Sequence, residues 1–190
     1  MKHIKTLGLL AFVAAVTMAL AASASADRVT TTTSGGTTDE TPTIHMVNES
    51  THVSIVNTAV NISCTATLEG TVTSHEAGKP ASVHVTVLPI NGCTNSWHVT
   101  TISGGSISFE SSNGEVISSG LRIQVTRLGT TCVFETTATK IGTITGGSPA
   151  TLHIEAALAL AKESSPLCGS SPAKWEGSLV TTEPLHFDNN

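Results

Sequence analysis

Four cysteines are the residues of this chain best suited to do chemistry. They are Cys64, Cys93, Cys132 and Cys168. The intervals between them are 29, 39 and 36 residues, which is too long for the closely spaced ligand pairs of a structural zinc site. In an exported protein such cysteines form disulfides, and four of them allow three connectivities. We therefore predict disulfide bonds and no metal site, and the count alone leaves the connectivity open.

Two tryptophans and two histidines are candidate ligand contacts. Trp97 and Trp175 could offer an aromatic platform to a sugar or another flat ligand, or they could pack over a disulfide inside a β fold. His84 and His153 could share a ligand or a metal only if the fold brought them together. Otherwise they are solvated residues on strand faces. We favour packing for the tryptophans and solvation for the histidines.

Residues for hydrolytic catalysis are present but poorly placed. After the first 26 residues, Asp occurs only at Asp27, Asp39 and Asp188, near the two ends of the chain. A Ser-His-Asp triad inside the fold would therefore lack its orienting group. Ser74-His75-Glu76 is the nearest substitute, although adjacent strand residues point to opposite faces. Paired glutamates could serve a glycosidase, yet a chain with no Tyr, two Trp and four Phe offers few stacking surfaces. We predict no enzymatic activity and no cofactor.

The amino terminus has the pattern of a signal peptide. Lys2 and Lys5 precede an apolar stretch at 7–22, and small residues at 24–26 precede Asp27. This order is typical of an exported chain with a cleaved leader. The apolar stretch of about 16 residues is shorter than the roughly 20 that a membrane span requires. We expect a mature protein that is secreted or lies in the cell envelope and has no membrane span.

The charge of the mature chain argues against nucleic acid as a partner. Without the leader's Lys2 and Lys5 the chain has 7 basic and 14 acidic residues, a net charge of −7. The basic residues are spread singly, whereas a phosphate backbone is bound by clustered Lys and Arg. A cell-wall polysaccharide or a small ligand is the class of partner that the composition leaves open.

Alternation of apolar and polar residues dominates the rest of the chain. It is clearest at 60–68 and recurs in later segments that are separated by turn residues such as Asn91-Gly92, which predicts many short strands, each with one buried face. The segment 154–162 is rich in Ala and Leu, but its alternation also predicts a strand. We predict an antiparallel β-sandwich, immunoglobulin-like in the broad sense, over 43–190. A flexible lead-in rich in Thr, Ser and Gly precedes it at 27–42.

An internal repeat relates two parts of this predicted domain, at about 58–101 and 126–182. In each copy a Cys is followed by Gly-Thr-Val/Ile-Thr, by Pro-Ala and an alternating segment that contains His, by a second Cys and by Trp. Equivalent cysteines should form equivalent bonds. The repeat therefore predicts the pairs Cys64–Cys93 and Cys132–Cys168. Each copy alone is near the size at which a hydrophobic core becomes marginal, which favours one shared core.

These motifs carry a resemblance. The segments 64–74 (CTATLEGTVTS), 91–94 (NGCT), 142–145 (GTIT) and 175–181 (WEGSLVT) resemble those of a group of uncharacterised small secreted β proteins of actinobacteria. The resemblance covers about residues 58–184. It implies a β-sandwich with two Cys pairs, and it implies no catalytic residues.

Together these features predict a secreted, non-enzymatic protein with a structural or binding role outside the cytoplasm. A carrier of a small hydrophobic molecule or carbohydrate, with a cleft between the two units, is the alternative. A hydrolase that uses Glu and His is a third and less favoured hypothesis.

Overall fold

The computed structural model describes residues 27–32, 38–39, 42–48, 52–74, 80–110, 113–170 and 172–189. This part of the chain consists of strands joined by loops and two short 3-10 turns, η1 (Thr94–Ser96) and η2 (Pro166–Cys168). The strands are β1 (Asp27–Thr32), β2 (Thr38–Asp39), β3 (Thr43–Asn48), β4 (Val53–Val56), β5 (Asn61–Ser74), β6 (Ala81–Val87), β7 (Ile90–Asn91), β8 (His98–Ser103), β9 (Ser106–Glu110), β10 (Glu115–Ser119), β11 (Arg122–Arg127), β12 (Thr130–Glu135), β13 (Thr139–Thr145), β14 (Thr151–Leu160), β15 (Ala173–Thr181) and β16 (Leu185–Asn189).

Nine of these strands close into an antiparallel β-barrel with eight positions. The order around the barrel is β5, β6, β9, β10, β13, β14 and β15, and the eighth position is shared by β3 and β4. These two strands lie end to end, because β3 pairs with residues 67–71 of β5 and β4 pairs with residues 61–64. Both also pair with β15 on their other side, and this closes the ring.

The predicted β-sandwich is therefore wrong, whereas the all-β class is confirmed. Alternation along a strand shows that one face is buried, and this is equally true of a sandwich and of a barrel. Closure depends on whether the first and last strands of the sheet pair with each other. Here β3 and β4 pair with β15, more than 100 residues later, and local periodicity carries no information about that contact.

Sharp local bending helps the sheet to close. A bulge interrupts the pairing of β10 with β13 beside Gly142, whose φ is +155°. A Cβ atom at this position would lie 1.9 Å from the carbonyl oxygen of His153 on β14, so only glycine fits. Bulges and glycines are the usual means by which strands turn the corners of a barrel.

The two copies of the repeat form equivalent hairpins on opposite sides of the barrel. In the first copy Thr71 of β5 pairs with His84 of β6. In the second copy Thr143 of β13 pairs with His153 of β14. Equivalent strands are four positions apart in a ring of eight, so the copies are related by an approximate half-turn. Buried residues of both copies belong to one hydrophobic core.

A second sheet extends from one end of the barrel. It consists of β8, β11 and β12, and it joins the barrel where Phe134 of β12 pairs with Leu160 at the end of β14. Ile123 and Phe134 of this sheet are continuous with the barrel core. The strand predicted at 154–162 is present as the greater part of β14, whose side chains alternate between buried and exposed.

Two described segments of the predicted flexible lead-in at 27–42 are strands. β1 pairs with the carboxyl-terminal strand β16, and β2 extends this small sheet. Thr residues favour extended backbone even without apolar alternation, in agreement with the strands at 27–32 and 38–39. The predicted leader at 1–26 and the pair His75-Glu76 lie outside the described residues. Within the described ranges, no helix is long and apolar enough to cross a membrane.

Candidate ligand-binding cleft

Both disulfides are present, in the pairing that the repeat predicts. Cys64 on β5 is bonded to Cys93, which follows β7, and Cys132 on β12 is bonded to Cys168 in η2. The first bond fastens the β7 loop to the barrel. The second fastens the 161–170 loop to the appended sheet. Two disulfides are typical of proteins that work in an oxidising, extracellular environment.

Trp175 is a core residue rather than an exposed platform. It lies on β15 between Ile55 of β4 and Ala156 of β14, and only 2% of its surface is exposed. Its indole Nε1 is buried and has no hydrogen-bond partner among the described residues. The ring therefore contributes apolar burial to the barrel, at the cost of one unsatisfied donor.

Trp97 occupies a different environment, at the border between core and solvent. It is 8% exposed and lies just before β8. The guanidinium carbon of Arg127 lies 5.6 Å from the centre of its ring, a distance at which a cation is attracted to the face of an indole. Trp97 thus combines packing against the core with a cationic neighbour at the surface.

Trp97 and Arg127 line a cleft of about 280 Å³, which we call the leucine cleft. Its lining residues are Ala59, Trp97, Arg127, Leu128, Thr130, Cys132 and Leu167. Leu128 is 95% exposed and Leu167 is 72% exposed, the highest values among the large hydrophobic residues of the described chain. These two leucines give the cleft an apolar surface that is exposed to solvent in the folded protein.

The geometry of the β11–β12 hairpin keeps Leu128 exposed to solvent. Arg127 pairs with Thr130 across the β11–β12 turn, so only Leu128 and Gly129 connect the strands. Their φ values are +48° and +82°, the signature of a type I′ turn, which favours Asn-Gly or Gly-Gly. An L-residue with a Cβ pays roughly 1–2 kcal/mol for the left-handed region. Leu128 therefore combines a backbone conformation that is unfavourable for an L-residue with an apolar side chain that is exposed to water.

Leu167 is held in place from the other side of the cleft. Its backbone N–H donates to Ser165 Oγ at 3.3 Å, and Ser165 N–H donates to the carbonyl of Thr131 on β12 at 2.9 Å. The next residue, Cys168, is bonded to Cys132 on the same strand. Both exposed leucines are therefore anchored to β12, one through its hairpin and one through its disulfide, and the cleft between them is preformed.

The fold does not bring His84 and His153 together. Both are exposed on the outer surface of the barrel, and their strands β6 and β14 are on opposite sides of the ring. His153 Nδ1 lies 3.3 Å from Ser178 Oγ on the neighbouring strand. Among the described residues no three His, Cys, Asp or Glu side chains are grouped to hold a metal ion.

Two further clefts are more polar or more open in character. One of about 470 Å³ includes three glycines in its lining, which consists of Asn113, Gly114, Ile144, Thr145, Gly146, Gly147, His186 and Phe187. The other, of about 440 Å³, lies between the 86–91 segment and β8. A bulge at Ile102 interrupts the pairing of β8 with β11 beside this groove, and a bulge at a sheet edge discourages the addition of another strand.

Reasoning from sequence identified Trp97 but not its partners Arg127, Leu128 and Leu167. A signal for Leu128 was present, because Leu128-Gly129 is a two-residue connection between alternating strands, where a polar residue is expected. Leu167 had no such signal. Its exposure follows from the path of the 161–170 loop, which is set by the Cys132–Cys168 bond.

Comparisons of the chain with protein-family models, with curated proteins and with solved structures give no match. The resemblance to secreted actinobacterial proteins stays a prediction. Function is therefore inferred from the chemistry of the leucine cleft.

Proposed function

We propose that the mature chain is a secreted, non-enzymatic binding protein and that a small, mainly apolar ligand binds in the leucine cleft. One observation carries the proposal: Leu128 and Leu167, the most exposed large hydrophobic residues described, line the same preformed cleft. Scattered exposed leucines are ordinary, whereas two that line one cleft beside a buried Trp support a binding surface.

The energetics are consistent with a ligand of moderate affinity. Burying an exposed leucine side chain is worth about 1.5–3 kcal/mol, so two leucines supply roughly 3–6 kcal/mol before the costs of association. A millimolar dissociation constant corresponds to about 4 kcal/mol. Contacts with Trp97 and Arg127 would add to this sum, and the rigid support of β12 reduces the entropy lost on binding.

The lining chemistry supports binding rather than catalysis. Apart from Arg127 and Thr130, the lining side chains are apolar or belong to a disulfide. Such a surface excludes water from a ligand and supplies one cation, without a general base beside a nucleophile. This favours the small-ligand carrier among the hypotheses raised by the sequence.

Export supports the same role and is tested separately. The leader pattern and the two disulfides are what a protein needs in order to meet ligands outside the cytoplasm. Intact-mass analysis of culture medium should find a chain that begins at Asp27. Recovery of only the full-length, membrane-bound chain would contradict export.

Binding is tested with Nile red, a neutral dye whose fluorescence rises when it leaves water. The purified disulfide-bonded protein should give a saturable signal, and the double substitution Leu128→Asn, Leu167→Asn should abolish it. Ile102→Thr is the matched control, because it removes an exposed aliphatic side chain from the other groove. Equal dye binding by the double variant and the native protein, or loss of binding in the control alone, would overturn the proposal.

A further inference from the structure

The leucine cleft contains one charged side chain, and its position defines the chemistry of a ligand. We infer that the cleft is a site for amphipathic anions, in which a carboxylate binds Arg127 and an apolar chain of about eight carbons lies between Leu128 and Leu167. This inference rests on the proposed function, since it specifies the ligand of the same cleft.

Arg127 is placed to bind an anion because its charge is not used elsewhere in the described part of the chain. Arg122, on the same strand, lies between the carboxylates of Glu135 and Glu163. Arg127, in contrast, forms no ion pair with any described residue and packs its guanidinium over Trp97. A cation–π contact does not use up the N–H groups of a guanidinium, and these match both oxygens of a carboxylate.

The positions of the leucines give the ligand its second property. Arg127 and Leu128 are consecutive residues at the tip of the β11–β12 hairpin, and Leu167 lies on the same cleft. A ligand that met Arg127 alone would leave both leucines in water. A ligand with an apolar chain next to its carboxylate satisfies the cation and covers the leucines at once.

The size of the cleft sets the length of that chain. Its 280 Å³ corresponds to about nine water volumes of roughly 30 Å³ each. An eight-carbon carboxylate such as octanoate has ten non-hydrogen atoms and is of comparable bulk. Longer chains would extend out of the cleft into solvent.

Because the protein is negatively charged overall, its net charge cannot explain a preference for anionic over neutral ligands. The mature chain carries a net charge of −7, so its long-range field repels anions. A preference for an anion over a neutral analogue must therefore arise from Arg127 at short range. Removal of Lys140, which pairs with Glu115 on the barrel and does not line the cleft, changes the net charge equally.

The experiment compares three probes that share one apolar chain: octanoate, 1-octanol and octylammonium. Binding is read from Trp97 fluorescence in a Trp175→Phe background, which makes Trp97 the only fluorophore of a chain without Tyr, and from the methyl NMR shifts of Leu128 and Leu167. Octanoate should bind roughly tenfold more tightly than 1-octanol, which corresponds to about 1.4 kcal/mol. Octylammonium should bind more weakly than either.

Two charge variants isolate the local charge. Arg127→Gln should make octanoate and 1-octanol bind equally, while Lys140→Gln, which changes the net charge by the same amount outside the cleft, should preserve the tenfold difference. Binding of 1-octanol should persist in both variants. Thermal unfolding of each variant shows whether its fold is retained.

The outcomes separate the inference from the proposed function. If none of the three probes binds, both fail. If 1-octanol or octylammonium binds the native protein as tightly as octanoate, or if Arg127→Gln keeps the preference, the inference fails while an apolar ligand site stands. Tight association with phosphatidylcholine vesicles without binding of monomeric octanoate would replace it with docking to a lipid surface.

Discussion

Leu128→Asn is predicted to stabilise the fold and at the same time to abolish binding in the leucine cleft. Leu128 has a φ of +48° and is 95% exposed, so its replacement loses almost no packing. Asn enters the left-handed region more readily than other L-residues because its side chain bonds locally to the backbone. The substitution also creates the Asn-Gly pair that a type I′ hairpin prefers.

The magnitude follows from the cost of that backbone conformation. A residue with a Cβ pays roughly 1–2 kcal/mol in the left-handed region, and Asn should recover about half of this, or about 0.5–1 kcal/mol. In a domain of this size a gain of 1 kcal/mol raises Tm by roughly 2–4 °C. We therefore expect Tm to rise by about 1–4 °C, measured by circular dichroism with the disulfides intact.

Two controls identify the cause of the change. Leu128→Ala removes the same apolar surface but keeps a Cβ without the local hydrogen bonds of Asn, so it should lose binding without the gain in stability. Leu167→Asn should also lose binding without that gain, because Leu167 is not among the residues with positive φ. A fall in the free energy of unfolding of Leu128→Asn by more than about 0.5 kcal/mol would show that the Leu128 side chain packs in solution, and would refute the reasoning.

Three further predictions concern the core, the disulfide and pH. Trp175→Phe should change the free energy of unfolding by less than about 1 kcal/mol, because lost ring area is offset by removal of the unpartnered indole N–H; a urea titration that showed a loss above 3 kcal/mol would indicate a missed partner. Replacing Cys132 and Cys168 together by Ala should lower the free energy of unfolding by about 3–4 kcal/mol for a loop of 36 residues and should weaken Nile red binding; unchanged binding would show that the bond does not position the cleft. Hydrogen bonding and charge attraction from Glu176 raise the pKa of Lys174 above 10.5. Their stabilising effect should be present below pH 10.5 and lost as pH rises through the raised pKa, so urea midpoints of the native protein and Lys174→Gln should differ slightly at about pH 9 and converge at higher pH.

Part of this protein could be predicted from its sequence because the relevant forces are local. Alternation from Val60 to Leu68 places one side of β5 in the core, and a two-residue or glycine-containing turn reverses the chain wherever it occurs. The repeat predicts the pairing of Cys64 with Cys93 because equivalent local sequences form equivalent hairpins. These inferences need no knowledge of which strand lies beside which.

The shape of the barrel and the binding cleft depend on contacts between distant residues. Val47 meets Val180 and thereby closes the sheet, while Arg127 at the end of β11 meets Trp97 beside the neighbouring strand β8. Alternation specifies which face of a strand is apolar but not its neighbour, so a sandwich and a barrel satisfy the same pattern. The exposure of Leu128 is likewise a product of three-dimensional structure, since its hydrophobicity alone predicts burial and its hairpin holds it in water.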